Sequence, residues 1–139
     1  LRSTVNLSRI VRVAGCCGVT RIVVAGSAKI DREIARDAAD VVALEPHRSL
    51  PPVLDRLKQE GYRLVGLEQT TNSSDLHHYQ FERHTVLVIG SERQGLTDYI
   101  LAKLDDVVEI PVWGQPFSYN VATATTMALY EYCKQFPAG

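Results

Sequence analysis

The sequence predicts an α/β fold: a mostly parallel sheet covered by helices on both faces, in three layers. Short runs of Val, Ile and Leu alternate with stretches whose apolar residues recur every three or four positions. Those short runs are nearly continuous in apolar residues, as strands buried on both faces are. The 139 residues, 45% of them hydrophobic, contain no Ser/Gly/Pro-rich linker, which describes a single domain over residues 1–139.

Taken in order, Asn6 to Cys17 reads as a helix with Ile10, Val13, Ala14 and Cys17 on one stripe and Gly18 as its stop. Arg21 to Ala25 follows as a strand. Ile30, Ile34 and Ala38 are spaced by four, so 30–39 returns to helix, and Val41 to Leu44 is a short strand. Ser49 is placed to cap a helix whose first turn takes Pro51, where a missing N–H is harmless. Val53, Leu54 and Leu57 face inward there, and Gly61 ends it. Tyr62 to Leu67 is the third strand, and Thr70 to Asp75 is a polar loop. Thr85 to Ile89 is the fourth strand and runs into Gly90. Thr97 caps a helix through Leu104. Val107 to Val112, interrupted by Pro111, is the fifth strand, and Asn120 to Phe136 is the last helix.

Composition excludes several classes. Lys and Arg number 15 against 16 Asp and Glu, which is neither a basic nucleic-acid-coating tail nor an acidic disordered chain. The charge is uneven, however: residues 1–63 hold 11 basic and 7 acidic side chains, residues 64–139 hold 4 and 9. Either a basic face lies near the N-terminus or ordinary helices turn wet faces outward. Apolar runs fall far short of a membrane span. Cys16, Cys17 and Cys133 lack metal-ligand spacing and suit a reducing compartment, so the expected location is cytoplasmic. The four histidines accompany no metal or triad pattern, and no metal is expected.

Ligands of parallel sheets gather beyond the carboxyl ends of the strands. Three polar loops occupy those places: Glu68 to Asn72, Gly90 to Gly95 and Trp113 to Asn120. Gly90-Ser-Glu-Arg-Gln-Gly95 lacks the middle glycine of a dinucleotide fingerprint and the Gly-Lys-Ser/Thr of a phosphate loop. It is either a tight strand-to-helix turn or a loop that wraps a ligand. The stretch Pro111 to Ser118, with two prolines, is restrained, and its amides and carbonyls can meet an adenine edge. Ser118 and Asn120 either cap the last helix or face a ligand. Asn6 and Arg9, and Arg9 and Arg12, are three apart on the first helix. Arg12 interrupts an apolar stretch, which suits a paired or ligand-bound guanidinium or one that snorkels to water.

Three blocks in this order resemble the SpoU/TrmH branch of the SPOUT RNA methyltransferases. They are Asn6 through Arg12, Val88-Ile-Gly-Ser-Glu-Arg-Gln-Gly-Leu96, and Ile110-Pro111 through Ser118-Tyr-Asn-Val121 to Leu129-Tyr-Glu131. The resemblance implies a C-terminal segment threaded into a deep trefoil knot and S-adenosyl-L-methionine bound bent within it. It also implies a homodimer built on the first and last helices, and a structured RNA (tRNA or rRNA) methylated on a ribose 2′-oxygen. Arg12 takes the family's base position, with its action as base or as electrostatic clamp open. Asn6 and Ser118 orient ribose or phosphate, Asn120 and Glu92 fix the loops and Arg12, and Gly90, Ile110, Pro111, Tyr119 and Thr70 line the cofactor. Two positions depart from the family: Tyr119 replaces a frequent Leu, and Ala122 a frequent small polar residue. The chain starts almost at the first block, so no separate N-terminal RNA-binding domain is expected in it. The alternative to catalysis is a knotted RNA-binding or assembly module; the joint presence of Asn6, Arg12, Glu92, Ser118 and Asn120 disfavours it.

Overall fold

The structure, a computed structural model, describes residues 3–138. Helix α1 spans Thr4–Cys16, strand β1 Arg21–Ala25, helices α2 Arg32–Ala35 and α3 Ala38–Val41, and strand β2 Ala43–His47. Helix α4 is Pro51–Gln59 and β3 is Arg63–Leu67. A two-residue strand β4, Ser74–Asp75, leads into a 3₁₀ turn at Leu76–His78. Then come β5 (Thr85–Ile89), α5 (Asp98–Leu101), β6 (Asp106–Glu109) and α6 (Val121–Gln135).

Among the described residues every strand pair is parallel, in two hydrogen-bonded sets: β1 with β2, and β4, β6, β3 and β5 in that spatial order. The single sheet expected from the sequence is thus divided. Val23 of β1 meets the four-stranded sheet through apolar packing around Leu64 rather than through a ladder. The three layers are visible in β3 itself. Leu64 and Val65 are both fully buried and, as neighbours on a strand, face opposite sides. Leu64 joins Val53, Leu54 and Leu57 of α4 and Ile100 of α5. Val65 joins Val108 of β6 and Ala128 of α6, with Leu76 and Phe81. A third cluster packs Leu7, Val11 and Ala14 of α1 against Val24, Ala35 and Val42.

Several local expectations change. The helix predicted over 30–39 is two short ones, because Arg36 adopts a left-handed φ of 58° between them. Asp31 caps the first, its Oδ1 accepting from the Glu33 amide at 2.9 Å. Ser49 caps nothing: Leu50 occupies the cap of α4, and no side chain bonds there. Pro51 and Pro52 open that helix without N–H groups, so fewer donors need an acceptor. The strand predicted at 41–44 lies at 43–47, and the fifth strand stops at Glu109, before Ile110 and Pro111. Thr97 and Asn120 do cap α5 and α6. On α1 the buried stripe is Leu7, Ile10, Val11 and Ala14, while Val13 and Cys17 are half-buried.

At the edge where the four-stranded sheet begins, Arg63 pairs with Asp106 at 2.8 Å and the Tyr79 hydroxyl donates to the same carboxylate at 2.6 Å. Burial, then the bond to Asp106, pushes the Tyr79 phenol up to about 12. The polar cluster ties β3, β6 and the segment before β5 together at the edge away from the candidate site.

Leu64→Ala removes the central side chain of the α4/α5 layer and should lower stability by about 2–5 kcal/mol in urea unfolding. A loss under about 1 kcal/mol would show that this layer repacks freely.

Candidate active site

Parallel pairing sends the carboxyl ends of β3, β5 and β6 to one edge, and three loops meet there. Glu68, just past β3, holds two of them. Its Oε2 accepts from the Leu96 amide at 2.9 Å and its Oε1 from the Gln69 amide at 3.1 Å. The loop after β5 folds tightly upon itself: the Gly95 amide donates to the Ser91 carbonyl at 3.1 Å, and Gly95 has φ 63°. A side chain at Gly90 would run into the Gly95 backbone, and one at Gly95 into the Glu68 carboxylate. Both glycines are therefore required by the turn itself. Gln69 Nε2 donates to the Phe117 carbonyl at 3.4 Å, fastening the loop after β6 to the loop after β3.

Three of the five residues expected to be catalytic form one hydrogen-bonded chain. Asn120 Oδ1 caps α6, accepting from Ala122 at 2.8 Å and Thr123 at 3.3 Å. That leaves its Nδ2 to donate to Asn6 Oδ1 at 3.2 Å. Asn6, only 9% exposed, is thereby turned so that its own Nδ2 donates to Glu92 Oε2 at 3.1 Å. The Ser3 amide donates to the same oxygen at 3.2 Å. The polarity of the chain follows from the α6 cap, since the backbone amides there can only donate.

The remaining expected residues make no hydrogen bond to it among the described residues. Arg12 lies six residues beyond Asn6, about 9 Å along the helix and 120° around it. It is exposed and makes no ion pair among the described residues. Its apolar neighbours Val11 and Val13 lie on other faces of α1, so Arg12 does not interrupt the buried stripe. Glu92 meets Asn6 and Ser3; the contact with Arg12 expected from the sequence is not formed. Ser118 is exposed, as is Tyr119 at 38%. Ile110 is half-buried against the α6 layer, so its side chain packs into the core.

An open cleft of ≈ 720 Å³ lies between the loops after β3 and β6, lined by Gln69, Thr70, Thr71, Glu109, Pro111, Val112 and Phe117. That volume suits a small organic ligand. Of the residues expected at a cofactor, Thr70 and Pro111 line it; Gly90, Ile110 and Tyr119 do not. Glu109 was hidden inside an apolar run, and only the end of β6 reveals it. Its Oε1 lies 2.6 Å from the Ser73 hydroxyl, which is also 2.8 Å from the Thr70 carbonyl. The lining includes amides, hydroxyls, an apolar wall and one carboxylate but no Lys or Arg. These groups fit an adenosine that carries a sulfonium and offer no cation to a diphosphate.

A model described as the SpoU rRNA Methylase family matches residues 1–130. The chain is 29% identical over 133 residues to the tRNA (guanosine(18)-2'-O)-methyltransferase of Escherichia coli (strain K12), covering 94% of this chain and 58% of that protein. It is 40% identical over 82 residues to the Mus musculus tRNA (guanosine(18)-2'-O)-methyltransferase TARBP1, covering 59% of this chain and 5% of that one. The chain thus spans a little over half of the bacterial relative and a small part of the mouse one. Among solved structures it is similar to the A. aeolicus TrmH/SpoU tRNA modifying enzyme, with TM-score 0.91 and 28% identity over 99% of this chain and 72% of that one. It is likewise similar to the SpoU methyltransferase AviRb of Streptomyces viridochromogenes in complex with AdoMet, with TM-score 0.80 and 28% identity over 99% of this chain and 55% of that one.

If the amide chain is a unit, Asn6→Ala and Asn120→Ala should combine non-additively, with a coupling of about 0.5–3 kcal/mol in urea unfolding. Strictly additive losses would show that the two amides touch without consequence. Asn120→Asp, which keeps the cap oxygen, should be less destabilising than Asn120→Ala, whose lost cap alone is worth about 0.5–2 kcal/mol.

Proposed function

The chain belongs to the SpoU rRNA Methylase family, and from that membership we propose that it transfers a methyl group from S-adenosyl-L-methionine to a ribose 2′-hydroxyl of tRNA or rRNA. The observation that carries this reading is the Glu92–Asn6–Asn120 chain beside a cleft without cations. We take residues 1–139 as one methyltransferase domain, with its C-terminal segment threaded as a deep trefoil knot. What supports this is the closeness of the three loops, with Glu68 bonded to the Leu96 amide and Gln69 to the Phe117 carbonyl. The cytoplasm is the compartment proposed. Cys16, Cys17 and Cys133 are free thiols, and among the described residues no helix is long and apolar enough to cross a membrane.

Bound in the cleft, the cofactor would supply a methyl already activated by its sulfonium. Thr70, Pro111 and Val112 would hold its adenosine, and the Glu109 carboxylate would favour its positive charge. Gly90 contributes by letting the loop after β5 close, and Ile110 and Tyr119 would meet the cofactor through their backbone. The ribose hydroxyl that takes up this methyl would give its proton to solvent or to phosphate. The chain's task is alignment and stabilisation of the developing alkoxide. The exposed Arg12 carries a planar fork of donors, which suits a clamp on phosphate and 2′-oxygen. Ser118 would orient the ribose, and Asn6 would set the position of Glu92.

Arg12 faces solvent on α1 without an ion-pair partner among the described residues, and a homodimer gives it a cleft to serve: that of the other subunit. The stripe of Ile10, Ala14 and Ala128 is already buried within one chain, so it does not demand a mate. The uncovered apolar groups are Val5 of α1, at 43% exposure, and Tyr130 of α6, at 69%. We propose that the two-fold contact forms over these helices.

Calorimetry should show binding of S-adenosyl-L-methionine and none of NAD; the reverse pattern would sink the reading. In single-turnover methylation of total RNA, Arg12→Ala should be nearly inactive and Arg12→Lys slower by on the order of 10²-fold, both binding cofactor like wild type. Full activity of Arg12→Ala would remove Arg12 from the mechanism. Light scattering at low micromolar concentration should give twice the 15.4 kDa of one chain. A stable monomer that still methylates RNA would refute the dimer.

A further inference from the structure

The loop after β6 holds two aromatic rings out into water. Trp113 is 84% exposed and Phe117 is 72% exposed. Both belong to the rim of the cleft: Phe117 lines it, and Trp113 directly follows Val112, which lines it too. Neither ring joins the aromatic pairs or cation–π contacts found among the described residues. The backbone beneath Phe117 is nonetheless fastened, its carbonyl accepting from Gln69 Nε2 at 3.4 Å. Pro111 and Pro116 fix φ on either side of Trp113. The loop therefore presents these rings from a restrained backbone, with little conformational entropy left to lose when they are covered.

We propose that Trp113 and Phe117 stack on an unpaired base of the RNA, next to the nucleotide whose ribose enters the cleft; this rests on the RNA methyltransferase reading above. Area and charge both favour a base. A buried aromatic side chain covers about 150–250 Å². Two of them fall well short of the roughly 800 Å² that each partner contributes to a stable protein interface. Residues 111–119 contain no charged side chain, so this segment has nothing with which to grip a phosphate. A nucleobase offers a flat π-face of matching size and a polar edge. Gln69, Thr71 and Ser118 stand nearby as neutral hydrogen-bonding groups for that edge. Bases that are splayed out of helices are recognised in this way, and duplexes, whose faces are already stacked, are not.

Trp113 is the one tryptophan of the sequence, so intrinsic emission reports this rim alone. The 139-residue protein, without cofactor, is titrated with an eight-nucleotide single-stranded RNA and with the blunt duplex of the same sequence. The single strand should quench Trp113 saturably, and the duplex should need at least about tenfold more RNA. Phe117→Ala should weaken single-strand binding by roughly five- to 150-fold, the range of one lost base–aromatic stack, and Phe117→Tyr should restore it. Trp113→Ala, followed by anisotropy of a fluorescein-labelled strand, should weaken binding similarly. Equal quenching by strand and duplex, with the Ala variants binding like wild type, overturns the proposal. So does an emission shift that depends on protein concentration and ignores RNA, which would assign the rings to a second copy of the chain. If wild type binds cofactor and methylates RNA while both Ala variants keep full RNA affinity, stacking fails and the methyltransferase reading stands. If wild type binds neither cofactor nor RNA, both fail together.

Discussion

The parallel pairing of β3 with β5 on one side and β6 on the other is the constraint from which the site follows. Parallel strands all end at the same edge, so the three loops that continue them must meet there. Flanked on both sides, β3 can bury Leu64 in one layer and Val65 in the other, which pins its register. A slip by one residue would exchange those two environments and carry Glu68 to the wrong face. With the register pinned, Glu68 can reach the amides of Gln69 and Leu96, and the loop after β5 is held over the end of β3.

A second constraint comes from the end of α6. Its first amides can only donate, so Asn120 must offer them its carbonyl oxygen. The amide nitrogen left over faces Asn6, and Asn6 in turn faces Glu92. A helix cap, an ordinary element of folding, thus sets the direction of a polar chain through the first helix, the loop after β5 and the last helix. Asn6 is buried, and a buried amide lacking these partners would be strongly unfavourable, so the chain stabilises as well as orients.

The cleft next to this chain differs from it in character. It is open, its wall is neutral or apolar apart from Glu109, and its rim exposes aromatic rings. Cation density lies on α1 instead, where Arg9 and Arg12 face solvent. This separation suits a reaction between two dissimilar partners, a compact cationic methyl donor and a polyanion. On the proposed function, the donor would take the cleft without cations and the polyanion would meet charge on a different element.

The alternation of elements, the β1, β3 and β5 strands, the caps at Thr97 and Asn120, and the three polar loops at the carboxyl ends of the strands are all legible in the bare sequence. These are local matters of periodicity, turn chemistry and capping, and residue order encodes them directly. Asn6, Glu92 and Asn120 were legible because they lie in motifs that resemble a known family, not because of any spacing between them. The tertiary structure alone decided that these three touch, since Asn6 and Asn120 are 114 positions apart. It also decided that Arg12 stands outside the buried stripe, that Gly90 and Gly95 serve the turn, and that Glu109 and Phe117 line the cleft. Flanking residues cannot report which helical face is covered once several elements compete for it. The break of the predicted 30–39 helix at Arg36 and the short β4 have the same origin. Both depend on packing and pairing between distant segments, which override local preference and leave no periodic trace in the chain.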